Sequence, residues 1–351
     1  MTASRIPGLD ALRGLAALLV LAYHLRGLAL PDAVLSHGYL AVDLFFVISG
    51  FVLARAWDAR LAAGEGARFL GRRLARLYPM MLLGLALGAA SWLARGDAPA
   101  SLLLLVPMAL LFIPFTRLTD VFPLNGPQWS LMWELLANLA YAVVAPWLTT
   151  RRLVVLVVIS GGVHALLTLA SGTGSLGPFA HGWEAGAPRV LFGFFVGVLL
   201  ARLDGEGRLR LPTPPIAVIL AVVVLMLSPP LPAGIGRAVF DLVAALVVFP
   251  LVVASAARAP VGRMQPLWDG LAGVSYALYA LHIPIVLAMA HVARQLPDGV
   301  ARWSVNLSTI PLALAIAWAA HRWFEPWTAN LLRTRSGRQG FSTSLPSSQT
   351  R

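Results

Sequence analysis

The chain has no cysteine and no lysine among its 351 residues, and only 12% of them are charged. Without cysteine there are no thiol nucleophiles, thiolate metal sites or disulfides. Without lysine all 27 basic residues are arginine, and against 15 acidic residues they give a net charge of +12. A soluble domain carries roughly 25% charged residues. At half that share, with 58% apolar residues and a mean hydropathy of +0.78, the polar surface is too small to keep a globule dispersed. A cytosolic enzyme, a disordered chain and a disulfide-rich secreted module are excluded, and a polytopic membrane protein in a lipid bilayer fits. The arginines are scattered between apolar runs, as expected of anchors in cytoplasmic loops, so no nucleic-acid partner is expected. His-Glu-x-x-His, glycine-rich phosphate loops and Gly-x-Ser-x-Gly elbows are absent as well, and no metal is expected.

A crossing needs about 20 residues of mostly apolar character. Runs approaching that length lie at 11–30, 39–57, 79–95, 101–115, 129–148, 153–171, 189–203, 215–228, 238–257, 271–291 and 303–324. Basic residues crowd the N-terminus (Arg5, Arg13), the stretch 55–76, Arg151 and Arg152, 202–210, 258–263 and the tail after Arg322. If all of these are cytoplasmic, the piece 79–128 crosses only once in net terms. The run 101–115 is short and contains Pro107 and Pro114, so it is read as re-entrant or interfacial. The expected fold is therefore all-α, a multi-pass protein of about ten transmembrane helices plus that segment, with both termini cytoplasmic. Residues 1–330 form the transmembrane domain, and 331–351, polar and basic, are expected to be a disordered cytoplasmic tail.

A charge within a span costs roughly 2.5–3.5 kcal/mol on insertion scales, which makes every intramembrane ionisable residue a functional candidate. Arg13 and His24 are eleven residues apart, an offset of about 20° on one helical face and about 16 Å along the axis. Arg13 falls near the cytoplasmic surface and His24 past the middle of the span. Asp43 and Glu134 each lie a few residues in from the outer ends of their spans, so all three belong in the outer half. A carboxylate against the imidazole would fix its tautomer and raise its basicity; the residues do not distinguish Asp43 from Glu134 in that part. The plain alternatives are a snorkelling arginine, a packing histidine and helix-helix hydrogen bonds.

Arg68, Arg72 and Arg76 recur every four residues with Arg73 adjoining and Pro79 following. This reads as an amphipathic interfacial helix on the cytoplasmic side, ended by the proline. Clustered guanidinium groups bind phosphates in fork geometry, and either anionic lipid or a phosphorylated ligand would satisfy them.

These residues resemble the bacterial membrane-bound acyltransferase-3 family, which includes O-acetyltransferases of surface polysaccharides. Leu9-Asp10-Ala11-Leu12-Arg13-Gly14 followed by His24 is similar to its first-span signature, and Ala41 to Phe51 to its second-span motif. Arg72-Arg73-x-x-Arg76-x-x-Pro79 and Trp129-Ser130-Leu131-x-x-Glu134 resemble two further motifs, as do Ser275-Tyr276-x-Leu278-Tyr279-x-x-His282-x-Pro284 and Phe324-Glu325-Pro326. Departures are Ala41 for the usual glycine and Met80-Met81 for the usual aromatic.

The resemblance implies a stand-alone enzyme of the bacterial inner membrane, without an esterase-like domain. It would transfer an acyl group, commonly acetyl, from cytoplasmic acyl-CoA, a co-substrate and not a tightly bound cofactor. The acceptor would be a hydroxyl of a carbohydrate, lipid-linked sugar or other exported molecule. His24 would be the catalytic base or transient acyl carrier, assisted by Asp43 and Glu134. Arg13, Arg72, Arg73 and Arg76 would serve the CoA side, and Trp129, Ser130, Tyr279 and His282 would line the substrate site. The loop His181-Gly182-Trp183-Glu184 pairs an aromatic with a carboxylate, as sugar stacking would need; a plain surface loop reads the same. The rival reading is a transporter or flippase of the acceptor, which would also bury ionisable groups and use discontinuous spans.

Overall fold

The computed structural model describes residues 5–328, so the expected tail at 331–351 lies outside the described residues. Among these the chain is helical, with no strand and only two isolated bridges. The helices are α1 (Pro7–His24), α2 (Ala41–Ala62), α3 (Gly66–Ala94), α4 (Leu102–Leu110), α5 (Gln128–Val144), α6 (Thr150–Ser171) and α7 (Gly186–Gly205). They are followed by α8 (Ile216–Leu227), α9 (Ile235–Leu242), α10 (Phe249–Ala256), α11 (Gln265–Arg294), α12 (Val300–Leu307) and α13 (Thr309–Ala319). A π-helical stretch, Val243–Val248, makes α9 and α10 continuous. Every apolar run of the sequence has become a helix.

Seven of these assemblies are long and apolar enough to cross a membrane. α1, α5 and α8 are shorter or more polar and pack among them, α1 along α11, α5 on α7 and α8 on α10. The assembly is that of a polytopic all-α membrane protein. α4 has nine residues, about 13 Å of helix against roughly 30 Å of hydrocarbon, so it does not cross. Leucines and valines of α6 that would be anomalous on a soluble protein, such as Leu166 at 70% exposure, form a surface suited to lipid.

One expectation fails. The arginine cluster does not form a separate interfacial helix ended by Pro79, because α3 runs unbroken through that proline. Spanning helices tolerate an internal proline where neighbouring groups re-satisfy the freed carbonyl. Of the cluster, Arg68, Arg72 and Arg76 stay exposed, and Arg73 alone turns into the bundle.

α2 and α7 are in the closest contact of any pair. A methyl group on Gly50 would collide with the Phe194 carbonyl, and one on Gly197 with the Val47 carbonyl. Small residues let spanning helices approach to backbone contact, where dispersion replaces the hydrophobic drive that lipid does not supply. Gly50→Val is expected to cost about 1–3 kcal/mol by overpacking, read as a lower thermal midpoint in detergent. An unchanged midpoint would mean that the two helices have room to part.

At one end of this pair lies a fully buried ion pair. Arg189 of α7 donates from Nε to Asp43 Oδ1 at 2.8 Å and from Nη2 to Oδ2 at 2.6 Å. It also donates to the carbonyls of Leu176 and Tyr39 at 2.7 and 3.1 Å. Beside it Asp241 of α9 accepts from Tyr39 Oη at 2.6 Å and the Gly174 amide at 2.7 Å, and pairs with His37 Nδ1 at 2.5 Å. These contacts tie the α1–α2 and α6–α7 connections to the helix ends.

Candidate active site

A cavity of about 210 Å³ opens between α1, α2, α3, α5 and α11. Its polar wall is Arg13, Arg73, Arg76, Glu134, Ser275 and Ser49, and its apolar wall comes largely from α2, including Phe45 and Ile48. Because α3 continues through Pro79, Arg73 reaches α5 and donates from Nη2 to Glu134 Oε1 at 2.6 Å. Ser49 Oγ donates to the same oxygen at 2.6 Å. Arg13 bonds Ser275 Oγ at 3.3 Å and lies 3.5 Å from the Asp10 carboxylate. Among the described residues Arg76 makes no ion pair, and Arg73 Nε is a buried donor without a partner. The cavity thus holds an excess of guanidinium charge, with donor capacity left for an anionic guest.

Tyr279 and Ser130 also bound the cavity, joined at 2.6 Å. Ser130 Oγ spends its single proton on the Pro127 carbonyl at 2.9 Å, so the Tyr279 hydroxyl is the donor between them. Beyond Tyr279, and outside the cavity wall, stand two imidazoles. The His282 ring is 5.8 Å from the Tyr279 ring and 4.9 Å from the His24 ring. His24 Nδ1 is 2.9 Å from the Val20 carbonyl and 3.3 Å from His282 Nε2. His282 is buried, whereas His24, at the last residue of α1, is partly exposed.

The structure separates several residues that the sequence reading had grouped. Neither expected carboxylate touches His24: Asp43 belongs to Arg189, and Glu134 belongs to Arg73 and Ser49. The difference lies in the partners: each carboxylate is taken by an arginine from another helix, Arg73 or Arg189. Of the cluster, only Arg73 and Arg76 join Arg13 on the cavity wall; Arg72 lies over the Trp57 ring at 5.4 Å. Ser130 and Tyr279 line the cavity, but Trp129 does not, and packs on the Arg189 guanidinium at 5.4 Å. His282 contacts His24 and not the cavity. In the 181–184 loop, Trp183 stacks on Trp133 at 5.5 Å. No cluster of residues suited to a metal ion occurs among the described residues.

The family model described as "Acyltransferase domain" (Acyl_transf_3) matches residues 6–322. The chain belongs to the acyltransferase-3 family. It is 37% identical over 174 residues to "Protein 2 in picA locus" of Rhizobium radiobacter, covering 44% of this chain and 90% of that protein. It is 35% identical over 147 residues to "Acyltransferase MdmB" of Streptomyces mycarofaciens, 37% of this chain and 36% of that protein. To "O-acetyltransferase OatA" of Staphylococcus aureus (strain NCTC 8325 / PS 47) the identity is 39% over 80 residues, 22% of this chain and 12% of that protein. No solved structure matches the chain. It is a multi-pass membrane acyltransferase.

Within this acyltransferase the residues left out of the sequence reading are Arg189, His37 and Asp241. Arg189 was legible in principle, as a lone charge at the head of an apolar run that needs a buried partner. His37 and Asp241 come from a connection and a span 204 residues apart, and no local spacing joins them.

Proposed function

We propose that the protein transfers a short acyl group, acetyl in the simplest case, from acyl-CoA to a hydroxyl of an exported carbohydrate or lipid-linked acceptor in the bacterial inner membrane. The observation that carries this reading is the arrangement itself: a guanidinium-lined cavity and a free imidazole nitrogen lie on opposite sides of one tyrosine. The phosphates of CoA call for Arg76 and Arg13 at the cavity wall, with Arg73 Nε as a further donor. In this reading that end faces the cytoplasm, with both termini, which the clustering of arginine supports.

The chemistry needs one lone pair, and among the described residues Nε2 of His24 has no hydrogen-bond partner. As a base it takes the acceptor's hydroxyl proton while that oxygen bonds the thioester carbonyl carbon. The C–S bond breaks, the thiolate leaves, and the proton passes from Nε2 to sulfur, giving an ester and free CoA. As a carrier the same nitrogen attacks the carbonyl carbon, expels the thiolate, and surrenders the acyl group to the hydroxyl oxygen, whose proton passes to the thiolate to give free CoA. Either route requires the thioester to pass Tyr279. Opening its single neutral hydrogen bond to Ser130 costs about 0.5–1.5 kcal/mol, small beside any acyl-transfer barrier.

The test is purified protein reconstituted in vesicles with radiolabelled acetyl-CoA and an extract of lipid-linked glycans. Label in the acceptor together with stoichiometric CoA release is expected. Acceptor movement across the vesicle without acyl-CoA consumption would overturn the reading in favour of a transporter. Label retained on the protein when acceptor is omitted would select the carrier route. Arg76→Ala is expected to raise the donor KM about tenfold, the share of one charge-assisted hydrogen bond of about 1.5 kcal/mol, and less so at high salt. An unchanged KM would assign Arg76 to lipid headgroups.

A further inference from the structure

His24 has no carboxylate to orient it, yet its ring is held by two fixed acceptors. The Val20 carbonyl is 2.9 Å from His24 Nδ1, and the Tyr279 carbonyl is 2.8 Å from His282 Nδ1. A carbonyl only accepts, so each Nδ1 carries the proton. His282 Nε2 is then a lone pair, and it faces His24 Nδ1 at 3.3 Å. The Nδ1 proton of His24 is shared between Val20 and His282, and the lone pair of His24 is left on Nε2. We infer that His282 is a positioning residue for His24: the structure assigns the second imidazole to fixing the first in its Nδ1–H tautomer, with Nε2 as the reacting atom. This deepens the reading of His24 as base or carrier and rests on it for its catalytic meaning.

His282 is 1% exposed and its Nδ1 is anchored three residues back on its own helix, so its Nε2 cannot turn to another partner without losing that bond. An anionic partner would hold the imidazolium more strongly, but would bring a second charge into the bundle. A neutral imidazole keeps the resting pair uncharged, which suits a ring within the span. As Nε2 of His24 gains a proton or an acyl group, Nδ1–H becomes a stronger donor, and His282 Nε2 accepts it more tightly. The interaction therefore grows toward the transition state, which is where binding raises turnover.

The full-length protein labelled with ¹⁵N-histidine and held in nanodiscs gives the direct test. His24 resonances, assigned by difference from His24→Ala, are expected to show Nε2 unprotonated and Nδ1 protonated at neutral pH. Finding the opposite tautomer in the wild type would overturn the inference without any variant. His282→Leu, of similar bulk but without an acceptor, is expected to mix the two tautomers and lower kcat about a hundredfold, with the donor KM unchanged. His282→Gln, whose side-chain carbonyl can stand where Nε2 was, is expected to recover most of both. A folded His282→Leu with wild-type tautomer and kcat would refute the assignment. If His24→Ala itself transfers acyl groups normally, the functional reading of His24 fails while the tautomer measurement still judges the pairing.

Discussion

His24→Ala is expected to lower acyl transfer by about 10²–10⁴-fold, the range that a positioned general base contributes, and to leave the donor KM within about twofold. The two parts of that expectation come from different observations. The loss follows from the free Nε2 of His24, which no carboxylate can replace: Glu134 is held by Arg73 and Ser49, and Asp43 by Arg189, while the lone pair of His282 lies behind the His24 ring, on its Nδ1 side. The unchanged KM follows because neither imidazole lines the cavity that holds Arg13, Arg73 and Arg76. A loss confined to kcat is the mark of an interaction made only as the reaction proceeds. Steady-state rates of the reconstituted variant, with donor varied at saturating acceptor, check both. Activity within a few fold of wild type would remove His24 from the reaction. A large rise in donor KM with kcat intact would place the ring in donor binding instead.

Much of the fold was legible because lipid imposes few options. Apolar length alone located the helices, and Pro107 with Pro114 marked the segment α4 that does not cross. What pattern reading could not supply was whether a proline ends a helix. Pro79 has the sequence context of a boundary, but α3 continues through it, as spanning helices can where neighbouring groups satisfy the freed carbonyl. That one difference moved Arg73 inward and changed the partner of Glu134.

The site was legible as a set of residues more than as a set of contacts. An arginine and a histidine on one face of α1 pointed to two functional levels, and the structure keeps Arg13 on the cavity and His24 beyond Tyr279. Which group faces which imidazole depends on side chains from α11, 258 residues away. Single-sequence reasoning favoured a carboxylate because carboxylates are the usual orienters; the neutral alternative leaves no mark in spacing.

Arg189→Met is expected to abolish accumulation of folded protein, the largest stability effect in the molecule. Removing one member of a buried ion pair costs about 3–5 kcal/mol because the other is left charged and unpaired. Here the Leu176 carbonyl also loses its donor, at about 1–3 kcal/mol for a group left unsatisfied, and the Tyr39 carbonyl loses one of its bonds. Against a stability of about 5–15 kcal/mol typical of folded proteins, that deficit is close to the whole. Asp43→Asn is expected to be milder, since an amide still accepts one bond from the guanidinium. The double variant Asp43→Leu with Arg189→Met should recover part of the loss, as neither charge is then stranded, but the Leu176 carbonyl still lacks its donor. Folded yield and thermal midpoint in detergent across this cycle measure the coupling. The same variants decide what Asp43 is for. Its carboxylate is committed to Arg189 through both oxygens, so folded Asp43→Asn is expected to turn over within about threefold of wild type. A well-folded Asp43→Asn without activity would instead place that carboxylate at the reacting atoms, and the ion pair would then be a resting state from which Asp43 is released.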